Sequence, residues 1–160
     1  MKKTKTKSIC VYGIGNDSRS DDGLGWAFLR RLESEIPNLD VFYRYQLMVE
    51  DADEIQNYDH VVFVDAYAGK LKDGYELKNC RMSKIGSFST HGVHPGELLK
   101  IGYDIFNFSP KAWLFMIAGD EWGFSSNLSK TGQKNLDDAI VFFKKWIKDF
   151  KMDAIETKAV

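Results

Sequence analysis

The chain has 160 residues, with 22 Lys and Arg against 23 Asp and Glu and a formal net charge of −1. That balance supplies no global field for nucleic acid or an anionic membrane surface, and no stretch approaches the roughly 18 apolar residues that span a bilayer. The length suits one domain spanning 1–160, able to bury roughly two thirds of the surface its unfolded form exposes.

The opening Met1 to Lys7 is basic, but Ser8 to Tyr12 is too short for the apolar region of a signal peptide and leads into a glycine loop. Residues 1–7 therefore read as a flexible, solvated lead-in. The cysteines, Cys10 and Cys80, form neither a disulfide framework nor a Cys-x-x-Cys pair, so a cytoplasmic location is expected. Each lies in a strand-like run and is expected as a small buried hydrophobe.

Ile9-Cys10-Val11-Tyr12 predicts a buried parallel strand that turns at Gly13. Leu24, Ala27, Phe28, Leu32 and Ile36 recur at helical spacing until Pro37, so a helix is expected to start directly after the loop. Val41 to Tyr45 predicts a second strand, Asp51 to Tyr58 a short helix, and His60 to Asp65 a third strand buried on both faces. His60, at its start, is expected on the surface.

Beyond Gly69 the turn residues 70–74 lead to an alternating edge strand, Tyr75 to Met82. Pro95 is placed to open a helix through Leu98, Leu99, Ile101 and Tyr103, and Ala112 to Ala118 is another strand. A last helix is expected from about Lys130 to Phe150, with Gly132 weakening its first turn by about 1 kcal/mol relative to alanine. Residues from about 152 to 160 are expected to be a flexible tail. Strands alternating with helices predict an α/β fold with a mostly parallel, twisted sheet, doubly wound by right-handed crossovers; if the strand order is 2-1-3, strands 1 and 3 are neighbours.

That topology puts two acids at one sheet edge. Asp22 lies in the glycine-rich loop after the first strand, and Asp65 closes the apolar run Val61 to Val64. Carboxylates facing each other in a crevice repel, so one takes a proton or both share a cation. His91, in Ser89-Thr90-His91-Gly92, supplies an imidazole from a loop leading into a helix. Two carboxylates and one imidazole suit nickel, zinc or manganese and leave coordination positions open.

Each residue also has a structural reading. Asp22 is equally suited to capping the first helix, Asp21 competes for either role, and His94 rivals His91. Gly13-Ile14-Gly15 after a strand also begins a dinucleotide fingerprint, but Ser18 and two aspartates follow, and their charge opposes a pyrophosphate.

Four blocks, in order, resemble the nickel-iron hydrogenase maturation endopeptidases. They are Gly13-Ile14-Gly15-Asn16 with Asp21-Asp22-Gly23-Leu24-Gly25, Val64-Asp65-Ala66, Ser89-Thr90-His91-Gly92, and Leu128-Ser129. The resemblance implies a three-layer α/β/α sandwich and a metal-directed, aspartic-type protease. It would remove a C-terminal extension from the hydrogenase large-subunit precursor after nickel insertion.

By motif position, Asp22, Asp65 and His91 would be the catalytic and metal-binding residues. The nickel would arrive with the substrate, and zinc or cadmium is a further expected occupant of the isolated protein. Gln46 and Glu50, at the position of a variable family loop, are candidate substrate-binding residues, with helix capping an equal explanation for Glu50. The alternatives are a non-enzymatic chaperone or adaptor for the same precursor, and a nucleotide-binding module.

Overall fold

The computed structural model describes residues 8–84, 86 and 92–158, with side chains described as far as Lys151. Five strands, β1 (Ile9–Ile14), β2 (Asp40–Arg44), β3 (His60–Ala68), β4 (Tyr75–Cys80) and β5 (Lys111–Gly119), form one sheet in the order β2-β1-β3-β5-β4. All neighbours are parallel except β4, which runs antiparallel to β5. The helices are α1 (Leu24–Glu35), α2 (Asp51–Glu54), α3 (Pro95–Phe106) and α4 (Lys130–Lys158).

Alternation along the strands explains the three layers. Val11, Val62, Val64, Phe115 and Ile117 point to one face, where Phe28 of α1 and Phe143 of α4 pack against them. Phe28 meets both Phe115 and Phe143 edge-on at 5.2 Å, an arrangement aromatic quadrupoles favour. Cys10, Tyr12, Val61 and Phe63 point to the other face, against Ile55, Leu98 and Leu99. This is the α/β/α sandwich with a mostly parallel sheet. Among the described residues no helix is long and apolar enough to cross a membrane.

Helix α1 starts at Leu24 as expected, and the acidic end of the loop before it, Ser20–Gly23, forms a 3-10 turn. Several boundaries differ from the sequence reading. Strand β3 does not end at Asp65, because β5 continues to pair with it through Ala68. The short helix is one α turn, α2, completed by a 3-10 turn at Ile55–Asn57. Helix α4 continues past Phe150 to Lys158, through most of the segment expected as a tail.

His60 is half-buried rather than exposed, its ring 5.5 Å from that of Trp113 and 4.6 Å from that of Phe150. Cys10 is fully buried, and Cys80 is half-buried. The lead-in, 1–7, lies outside the described residues.

Candidate functional site

Strand β1 pairs with β2 on one side and β3 on the other. The chain thus reverses direction across the sheet at β1, and a crevice opens at the carboxyl ends of β1 and β3, the place where such sheets bind ligands. Asp65 is two positions beyond Phe63 and shares its face, so the period of the strand delivers its carboxylate to the α2/α3 side. The crevice holds about 480 Å³ and is lined by Asp22 and Asp65, with Gly15, Gln46, His94 and Glu97 among the other residues.

The glycine loop folds so as to turn Asp22 inward. Gly15 has φ +142°, and a Cβ there would lie 2.0 Å from the Asp22 carbonyl oxygen, so no side chain fits where the loop returns on itself. The Asn16 amide donates to that same carbonyl at 3.1 Å. Asp22 is not the cap of α1, whose N-cap position is Gly23 and lacks any side-chain hydrogen bond.

The other acid of the pair, Asp21, faces away. It is fully buried and accepts hydrogen bonds from the amides of Asp120, Glu121 and Ser129 and from the Ser129 hydroxyl.

Asp65 is reached by solvent through the mouth of the crevice and is crowded on its other sides. Crowding governs its chemistry: burial pushes its pKa up to about 7, aided by the negative charge of Asp22 and opposed by a hydrogen bond from the Ala66 amide. That bond measures 2.8 Å. A carboxyl group poised near neutrality beside a second carboxylate is a place where a cation relieves repulsion, and where a proton can be taken up or released.

The candidate residues do not all converge. Asp22, Asp65 and Gln46 line the crevice, whereas Glu50 is not among its lining residues. Glu50 stands at the N-cap position of α2 without a side-chain hydrogen bond, so its expected capping role is not exercised either. His94 lines the crevice and is exposed. His91 lies outside the described residues.

Glu97 in the first turn of α3 was missed by sequence reasoning, since an acid there also reads as a partner of the helix dipole. Among the described residues no three histidine, cysteine or acidic side chains gather closely enough to hold an ion.

A larger depression, about 900 Å³, lies between the 69–75 turn and α4. It contains Asp73, Asp120 and Asp138, but Lys134 pairs with Asp138, and neither Asp22 nor Asp65 lines it. The smaller crevice is therefore the candidate site.

No family model matches the chain, and no curated protein matches it. Solved structures do. The fold is similar to that of the [NiFe] hydrogenase maturation protease HycI from Thermococcus kodakarensis KOD1, with 22% identity, a TM-score of 0.68, and coverage of 91% of this chain and 95% of that one. It is similar to the hydrogenase maturating endopeptidase HybD from E. coli at 17% identity and TM-score 0.69, covering 89% and 93% of the respective chains. A hydrogenase 2 maturation peptidase from a Thaumarchaeota archaeon has 20% identity and a TM-score of 0.60, over 88% of this chain and 98% of its own. At these identities the likeness establishes a shared fold.

Proposed function

We propose that this chain is an endopeptidase that removes the C-terminal extension of a nickel-iron hydrogenase large-subunit precursor in the cytoplasm, once the precursor carries nickel. The observation that carries the reading is the pairing of Asp22 and Asp65 in one crevice, with Asp65 lifted to about 7. The sequence blocks and the shared fold support the substrate class.

The donors present fit the cargo. Two carboxylate oxygen groups, repelling each other in a crowded crevice, gain from a divalent cation, and an imidazole from His91 would complete a set suited to nickel. The same hold is available to zinc or cadmium when the isolated protein meets those ions. Nickel in the precursor is recognised as part of the substrate, which aims the neighbouring peptide bond into the crevice.

Asp65, ionised, would help hold the cation, and a carboxylate oxygen of the pair that the cation leaves free can take the proton of an attacking water. Asp22 raises the basicity of Asp65 by its charge. Hydrolysis then breaks the peptide C–N bond, the water oxygen joins the new carboxyl terminus, and the proton passes to the leaving amine.

Mass measurement of the nickel-loaded precursor before and after incubation tests this reading. Loss of a C-terminal peptide supports it. Unchanged mass with a stable complex would instead identify a chaperone or adaptor.

A further inference from the structure

Helix α2 opens on a buried acid, Asp51, that the proposed reaction does not use. The Asp51 side chain is 6% exposed, and both its oxygens are engaged: one accepts from Arg44 Nε at 3.0 Å, the other from the Met48 amide at 2.9 Å. The Arg44 guanidinium lies over the rings of Tyr12 and Phe42, 5.6 and 5.7 Å from their centroids. Its backbone carbonyl accepts from the Gly15 amide and from Trp26 Nε1, each at 3.0 Å. Arg44 thus fixes the acidic loop through its backbone and the 45–48 loop through its side chain.

What is fixed in this way is a wall of the crevice. Tyr45, Gln46 and Leu47 line it together with Asp22 and Asp65. Leu47 is buried, its carbonyl accepts from the Val93 amide at 3.1 Å, and Tyr45, 68% exposed, leans on Trp26 with ring centroids 4.9 Å apart. A partly buried ion pair is a poor way to gain stability, because desolvation of the buried partner offsets the attraction. What it does here is select one conformation for a loop whose exposed residues border the candidate site.

We propose that Asp51 is a positioning residue: acting through Arg44 and the Met48 amide, it holds Tyr45, Gln46 and Leu47 as the wall against which the extended peptide flanking the cleaved bond is bound. The recognition half of this proposal rests on the endopeptidase reading; the positioning half does not. A wall that binds peptide equally in ground and transition states affects KM more than kcat.

The test combines steady-state cleavage of the nickel-loaded precursor with amide hydrogen exchange of the free protein, for wild type, Asp51→Ala and Asp51→Asn. Asp51→Ala should raise KM roughly tenfold while kcat changes much less. Asp51→Asn keeps one acceptor oxygen and should fall between the two. Exchange should accelerate at the Met48 and Val93 amides and stay slow in β1, β3 and β5.

Unaltered exchange at Met48 in Asp51→Ala overturns the positioning role. Loss of protection throughout the sheet, or an unchanged KM, overturns the role of a dedicated recognition wall. A wild-type protein that leaves the precursor intact overturns the endopeptidase reading and the recognition half, while the exchange result still decides the positioning half.

Discussion

Asp21 accepts the Ser129 hydroxyl at 2.6 Å, joining the turn before α1 to the residue before α4. The amides of Ser129, Asp120 and Glu121 complete the set. The acidic pair therefore divides its work, Asp21 anchoring the loop and Asp22 facing the crevice. Ser129→Ala should cost about 1–2 kcal/mol, and Asp21→Ala about 3 kcal/mol because several buried donors lose a charged acceptor. Urea unfolding followed by circular dichroism measures both, and a smaller loss for Asp21→Ala than for Ser129→Ala would contradict the assignment.

Helix propensity alone makes Gly132→Ala stabilising by about 1 kcal/mol. The structure reverses that sign, since a Cβ at Gly132 would sit 2.4 Å from Asp21 Oδ1. The expected outcome is a lower unfolding midpoint for Gly132→Ala, with an unchanged denaturant slope. A raised midpoint would show that Asp21 gives way at little cost.

Asp65 makes stability depend on pH in a direction opposite to that of a salt-bridged acid. Its folded pKa, about 7, is above the ordinary value of about 3.9. Between those values the folded chain holds a proton that the unfolded chain has lost, so stability from this group is present at low pH and declines as pH rises toward 7. Asp65→Asn removes the decline. The difference in Tm between variant and wild type should grow in the variant's favour from about pH 4 to pH 8, and a constant difference would contradict the raised pKa.

Asp21 has the opposite sign. Burial pushes its pKa up, but hydrogen bonds from Ser129, Asp120 and Glu121 outweigh this and hold it below the ordinary carboxylate value. Its contribution is present above about pH 4 and is lost as pH falls further. Cation engagement by Asp65 should weaken as pH drops through about 7.

Gln46 and Glu50, indistinguishable by position in the sequence, separate in space. Gln46 lines the crevice; Glu50 is not part of its lining. Gln46→Ala should raise KM for the precursor several-fold, and Glu50→Ala should leave it within about twofold. Equal effects from both would place the recognition surface elsewhere.

The architecture was legible where burial on both faces forces an unbroken apolar run, as in Val61 to Val64, and where helical spacing is long, as in α1 and α4. Crossover handedness allowed β1 and β3 to be neighbours but did not require it; the order 2-1-3 was assumed, and the pairing of β1 with β3 bears it out. The 3-10 turn at Ser20–Gly23 was not legible, because it is shaped by bonds from Asp21 to residues about 100 positions away. The same long-range contacts decide that Asp21 is structural and that Gly132 is required, whereas local propensity points the other way. The end of β3 was misjudged because Asp65 to Ala68 are poor advertisements for a strand and are held by β5. Asp51 resembled any acid in a first helical turn; only its burial against Arg44 distinguishes it.

The most direct measurement is the mass of the nickel-loaded large-subunit precursor after incubation with wild type, Asp65→Asn and His91→Ala, beside a nickel-free control. Removal of the C-terminal extension by wild type alone, and only from the nickel-loaded form, is the predicted result. Full cleavage by Asp65→Asn, with its fold intact, would contradict the central role given to that carboxylate.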